Sequence, residues 1–143
     1  MQEKLFVSSK IEVRRSSIHG YGVFAKEDIS SGEILEECYY LDLGQFWSKV
    51  PARLKDYVYA VAKTSPRASS SSAVVLGNAM IYNHSEDYSV EYKCDTGAKT
   101  FTYWANKDIK ADEELFTTYG ESSYSATRIR MKNNQDRIAW MII

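Results

Sequence analysis

A mainly β domain with few, short helices is what this chain predicts, and three observations carry that expectation. Hydrophobicity alternates with a period of two in several segments, and β-branched and aromatic residues cluster between polar turns. In addition, one strand, turn, strand unit is used twice: Ala25-x-x-Asp28-Ile29-x-x-Gly32-Glu33-x-Leu35 returns as Ala105-x-x-Asp108-Ile109-x-x-Asp112-Glu113-x-Leu115. Gly32 stands where a positive φ is expected, and Asp112 takes the matching place because Asp tolerates that conformation better than most side chains.

The elements follow in order. Ile11 to Arg15 alternates as a strand, Gly20 to Ala25 follows it, and Asp28 to Gly32 reads as a turn before a strand over Glu33 to Tyr40. Pro51 suits a first helical position, so one short helix is expected from there to Asp56. Tyr57 to Ala62 alternates like a strand, whereas Thr64 to Ser72 is polar and low in complexity, the composition of a surface loop or insertion. Thr100 to Ala105 is a strand with Phe101, Tyr103 and Ala105 on one face, and Glu113 to Tyr119 is another.

Composition bounds the function. At 143 residues, with 44% hydrophobic and 13% aromatic residues, the chain suits one globular domain with a buried core. Eighteen Lys+Arg against nineteen Asp+Glu leave a net charge of −1 without a basic block, so no direct nucleic-acid partner is expected. Two cysteines, Cys38 and Cys94, are too few for a four-ligand zinc site, and they read as free thiols of a reducing compartment. No apolar run reaches signal-peptide or membrane-spanning length, which makes a soluble intracellular protein the expectation.

Three separated segments hold the candidate chemistry. His19-Gly20-Tyr21-Gly22-Val-Phe-Ala25 is a glycine turn ahead of an apolar strand, where a ligand can approach the backbone closely, although a lone GxG is more often a plain hairpin turn. It lacks the third glycine and the helix of a dinucleotide fingerprint. Tyr82-Asn83-His84-Ser85 is a polar trio closing an apolar run, by its chemistry alone better suited to turn formation than to catalysis. Glu114-Leu-Phe-Thr-Thr-Tyr119-Gly120 ends on a tyrosine for which burial with a satisfied hydroxyl is the plain explanation.

Order and separation change that balance. Together the three segments resemble the SET-domain protein lysine methyltransferases, over roughly residues 10 to 124, and most of all the small stand-alone SET proteins of viruses and bacteria. The resemblance implies a β-clip-like fold of several short twisted sheets with a pseudoknot-like C-terminal threading. It implies a methyltransferase domain over 1–124 and a tail over 125–143, helical in pattern, that completes the site, covers it, or serves self-association as a homodimer. It further implies S-adenosylmethionine as cofactor, with His19, Gly20, Tyr21 and Gly22 lining its methionine end through the main chain. Asn83 would reach the amino-acid part, His84 would read the adenine edge through main-chain groups, and Tyr124 would pack near the adenine.

Tyr119 would be the catalytic tyrosine beside the transferred methyl group. Tyr92, eight residues after His84, would limit the number of methyl groups, and Tyr92, Tyr103 and Phe101 would contribute to the lysine channel. No metal is implied. The expected partner is a lysine-bearing protein or peptide, a histone among the candidates, which would put the protein in the cytoplasm or at chromatin. The acidic pair Glu36-Glu37 and the run Asp112 to Glu114 could attract a basic peptide, with solvated surface as the plainer explanation. Two departures from the family pattern stand out: Asp112 replaces a usual glycine, and Glu86-Asp-Tyr-Ser89 stands where Pro-Asn often follows. A SET-like module that binds without turnover is the alternative. A Ser/His/Asp hydrolase is remote, because His84 has no recognisable partner acid and no nucleophile elbow occurs.

Overall fold

The computed structural model describes residues 4–44, 47–55, 57–61 and 71–118. Nine strands supply the regular structure: β1 (Ile11–Arg15), β2 (Tyr21–Ala25), β3 (Ile34–Asp42), β4 (Tyr59–Val61), β5 (Ser71–Val75), β6 (Asn83–His84), β7 (Val90–Asp95), β8 (Thr100–Ala105) and β9 (Glu114–Thr117). They join along the path β1-β2-β9-β7-β8-β3-β5-β4, and β6 lies parallel to β9 off that path. Among the described residues, helix is limited to single 3-10 turns at Trp47–Lys49, Ala52–Leu54 and Asn78–Met80. The architecture is therefore mainly β, as the alternation requires.

The repeated unit forms a local pseudo-two-fold pair. Ile29 and Ile109 exchange backbone hydrogen bonds, each 2.8 Å. Gly32 N–H donates to Ala105 O and Asp112 N–H to Ala25 O, both at 2.7 Å, and each copy's Asp carboxylate (Asp28, Asp108) accepts an N–H from the turn of the other copy at 2.9 Å. Gly32 has φ 91° and Asp112 φ 71°, so the left-handed position expected of both is present in both. Ala25, Ile29 and Leu35 are buried, as are Ala105, Ile109 and Leu115. Burying side chains of the size of Ile and Leu stabilises the fold by about 1.5–3 kcal/mol each, and this pair forms one half of the core.

The other half is aromatic. On β8, Phe101, Tyr103 and Ala105 point inward while Thr100, Thr102 and Trp104 stay half-exposed. Tyr59 from β4, Tyr92 from β7 and Tyr82 ahead of β6 close around them, with ring centroids of Tyr82–Tyr103 5.5 Å, Tyr92–Tyr103 5.6 Å and Tyr59–Tyr92 5.4 Å apart. These are stacked, tilted and edge-on contacts, the geometries favoured by aromatic quadrupoles.

Several expectations need correction. The helix expected from Pro51 to Asp56 is a single 3-10 turn at Ala52–Leu54; Pro51 is its cap in an extended conformation (φ −53°, ψ 139°), and residue 56 lies outside the described residues. The polar stretch Thr64 to Ser72 is not all loop: Ser71 and Ser72 open β5 and are buried, and Ser71 Oγ donates to Asp42 Oδ1 at 2.7 Å. The rest of that stretch, 64–70, lies outside the described residues, as do the chain threading expected after Tyr119 and the 125–143 tail. Finally, Glu36 is no surface charge. Against β8 the register of β3 shifts between Ile34 and Glu36, so both Leu35 and Glu36 turn inward at that bulge.

Candidate functional site

Strand β9 gathers the three segments. It pairs antiparallel with β2 (Val23 opposite Leu115, Phe24 opposite Glu114) and parallel with β6 (Asn83 opposite Phe116, His84 opposite Thr117). Beyond His84 the chain crosses over and pairs with β9 again, Val90 opposite Thr117, while Thr117 Oγ1 donates to Val90 O at 3.0 Å. Segments remote from one another in the chain become neighbours through these pairings.

Asn83 stands at the convergence. Its side chain is fully buried, and Nδ2 donates to His19 O (3.3 Å), Tyr21 O (3.3 Å) and Glu114 Oε2 (2.8 Å). Three acceptors on one side fix the amide orientation, since the flipped group would set its oxygen against them. Asn83 Oδ1 is left buried without a hydrogen-bond partner among the described residues. The second Glu114 oxygen accepts the Ser16 hydroxyl at 2.7 Å, and Ser16 Oγ in turn accepts the N–H groups of Ile18 (3.0 Å) and His19 (3.4 Å). The turn Ser16–Gly20 is closed by Ser16 N–H on Gly20 O at 2.7 Å, with Gly20 at φ 46°.

Gly22 is the close-approach glycine of this turn. A Cβ there would run into the Glu114 carboxylate and would lie 3.2 Å from Asn83 Nδ2. Tyr21 contributes its carbonyl to Asn83 while its ring is exposed, with the Arg15 guanidinium 5.4 Å from the ring centroid. His84, half-buried on β6, continues the strand, and Ser85 N–H donates to Thr117 O at 3.2 Å.

The structure brings the His19–Gly22 turn, Asn83 and His84 together beside β9. Of the expected channel residues, Tyr103 and Phe101 are buried in the core, and Tyr92 alone is partly exposed. Burial raises the Tyr103 and Tyr82 hydroxyls well above the ordinary phenol value, so both stay protonated at neutral pH. Tyr119 and Tyr124 lie outside the described residues. The sequence gives no sign of Ser16, and it shows Glu114 only as the start of its motif and the end of an acidic run, whereas its carboxylate accepts from Asn83 and Ser16. The repeat did carry a signal for Glu114: its counterpart in the first copy is Ile34, an apolar residue where the second copy has an acid.

Comparison with known proteins bears on family and fold. The SET domain family matches residues 20–120. The histone-lysine N-methyltransferase of Schizosaccharomyces pombe, described as specific for H3 lysine 37, is 26% identical over 123 residues, covering 80% of this chain and 76% of its own. A crystal structure of a candidate histone methyltransferase from Plasmodium falciparum superposes with a TM-score of 0.62 at 27% identity, covering 82% of this chain and 99% of its own. The family match over residues 20–120, more than half of the chain, places this chain in the SET-domain family.

Proposed function

We propose that this chain is a protein-lysine N-methyltransferase that uses S-adenosylmethionine. The observation that carries the reading is the cradle around Asn83: a buried amide oxygen with no partner among the described residues, beside the Glu114 carboxylate and the close-approach Gly22. Such an acceptor-rich corner suits the ammonium of an amino-acid-bearing cofactor. His19, Gly20, Tyr21 and Gly22 would hold its methionine end through the main chain, Asn83 through its amide, and His84 and Tyr124 its adenine end. When bound, that cofactor supplies a methyl group on a positively charged sulfonium.

The chain's own task is to present a neutral lysine amine. A lysine of pKa about 10.4 pays roughly 4.6 kcal/mol to lose its proton at pH 7. Tyr92, backed by Phe101 and Tyr103 in the core, would lower that cost by desolvating the ammonium form. Tyr92, partly exposed while Tyr103 and Phe101 are buried, would meet the amine and set the number of methyl groups. Tyr119 follows β9 by two residues and would orient the amine through its hydroxyl. Residues 1–124 would form the catalytic unit and 125–143 a segment that completes the site or an interface. A histone is the first substrate to test, given what the two relatives are named for, and that substrate would place the protein at chromatin.

The test is transfer of radiolabel from S-adenosylmethionine to core histones and source-cell lysate, with Tyr119→Phe and Asn83→Ala alongside. Label on a lysine that falls at least tenfold in both variants is the expected result. Cofactor binding without transfer to any protein would favour the module that binds without turnover, and no cofactor binding at all would remove the assignment of Asn83.

A further inference from the structure

We propose that Glu36 is a positioning residue for the cofactor strand: a buried carboxyl, turned inward by the β3 bulge, that holds the Gly77–Tyr82 turn and thereby sets where Asn83 and His84 meet β9. This rests on the reading of Asn83-His84 as cofactor-binding residues.

The geometry begins with the bulge. Strict alternation along β3 would send either Leu35 or Glu36 to solvent; with the register shift both are 1% exposed, and Cys38 follows on the inner face. A bulge that re-aims a side chain beside a site is a common functional use of that irregularity. Here it delivers a carboxyl to the start of the turn that leads into β6. Glu36 Oε2 accepts the Asn78 N–H at 3.3 Å, the first N–H of the 3-10 turn Asn78–Met80. Gly77, at φ 149°, packs so closely that a Cβ would lie 3.1 Å from Glu36 Oε2 and 2.7 Å from Cys38 Sγ. From Asn78 the turn is carried forward by Ile81 N–H and Tyr82 N–H, both donating to Asn78 O at 2.8 and 3.3 Å, and Asn83 is the next residue. Tyr59 Oη supports the same turn by donating to Ala79 O at 2.7 Å.

The carboxyl is costly where it sits, which argues that a hydrophobic filler would not serve the same end. Its Oε1 is buried with no hydrogen-bond partner among the described residues. The groups that face it are the Cys38 thiol on β3 and the Asn78 amide and Tyr82 hydroxyl on the turn; the Tyr59 and Tyr103 hydroxyls lie beyond Tyr82. Burial pushes the Glu36 carboxyl above the ordinary range, with the Cys38, Asn78 and Tyr82 contacts working against it. Burial also holds the Cys38 thiol neutral, and none of the groups facing Glu36 is a cation that would compensate its ionised form. A neutral acid can accept from Asn78 through its carbonyl oxygen, and glutamine reproduces that arrangement where leucine does not.

The experiment compares Glu36→Gln and Glu36→Leu with the parent protein in two readouts. The first is the affinity for S-adenosylhomocysteine by calorimetric titration. Glu36→Gln should stay within about twofold of the parent, and Glu36→Leu should bind about tenfold more weakly while still unfolding cooperatively. The second readout is amide hydrogen exchange of the ligand-free proteins, which does not depend on the cofactor assignment. Glu36→Leu should speed exchange at Asn78 and over Ile81 to His84 and leave β1 and β8 unchanged, with Glu36→Gln like the parent. Equal affinity and equal exchange in Glu36→Leu overturn the proposal. Faster exchange in Glu36→Leu with no binding by the parent protein supports the positioning role and removes the cofactor reading instead. The pH profile adds a sign. Glu36 contributes its stability fully in acid and loses it as pH rises through its raised value, so the midpoint of Glu36→Gln should gain on the parent as pH rises above the ordinary carboxyl range. A difference independent of pH would contradict the buried neutral acid.

Discussion

At Gly22 a Cβ atom would stand within the Glu114 carboxylate and close to Asn83 Nδ2, on a backbone with no positive φ to strain it. The demand for glycine there comes from the neighbours alone. Gly22→Ala must displace the carboxylate and with it the hydrogen bonds that orient Asn83. We expect a loss of about 1–3 kcal/mol in urea unfolding, as for overpacking elsewhere, and at least a tenfold loss in S-adenosylhomocysteine affinity by titration. Gly32 is the opposite case, with φ 91° and open space around the absent Cβ. Gly32→Ala should cost about 1–2 kcal/mol of stability and leave the affinity within twofold, because strain in that turn does not reach Glu114. Asn83→Asp separates hydrogen bonding from shape: the donor that Glu114 Oε2 meets at 2.8 Å becomes a second carboxylate. Two such groups cannot both ionise cheaply, so one holds its proton to higher pH. That variant should be most stable in acid and lose stability relative to the parent as pH rises through the raised value; matching pH profiles of the melting midpoint would refute the arrangement.

At the scale of elements, the repeated unit explains why a departure at one position is tolerated. Asp112 takes the left-handed conformation that Gly32 takes without a side chain, at a cost of about 1 kcal/mol. Its carboxylate accepts from Arg14 at 2.9 Å, but the pair is exposed and screened by solvent, so it adds little. Asp112→Gly should therefore change stability by less than about 1 kcal/mol in urea, while Ile109→Ala, at the buried centre of the pair, should lose about 2–5 kcal/mol. Much of this architecture was legible beforehand because it rests on local pattern. β1 and β8 alternate cleanly and form as expected, and the repeat showed its own symmetry. β7 was missed because Glu91, Lys93 and Asp95 face outward beside half-buried Tyr92 and Cys94, leaving little apolar contrast to read. β6 is two residues long and exists only through its parallel pairing with β9, a tertiary fact. The bulge at Leu35 breaks period-two reasoning at the residue that matters, so Glu36 read as surface charge. Pro51 suited a helix that its neighbours do not extend beyond one turn.

For the whole molecule, β9 makes the site a collective product of long-range pairing. The turn ahead of β2, the strand β6 and the body of β9 are remote in sequence, and none carries the cradle alone; Asn83 joins His19 and Tyr21 only once β9 sits between β2 and β7. Long-range pairings of this kind are slow to form and depend on one another. A ligand that binds the cradle should therefore act on the three segments as one unit. At a hundredfold excess over its dissociation constant, a ligand specific for the folded state adds about 2.7 kcal/mol to stability. Hydrogen exchange with S-adenosylhomocysteine should show that gain as joint protection of amides in Ser16–Gly22, Asn83–Ser85 and Leu115–Thr117. Edge strand β4, at the far end of the sheet path, should gain much less. Leu115→Ala, which opens the centre of β9, should weaken protection in all three segments together. Val61→Ala in β4 should lower global stability yet leave their joint response to the ligand intact. Protection confined to a single segment would mean that the three motifs share a strand without sharing a ligand, and the pairing with β9 would then be architecture alone.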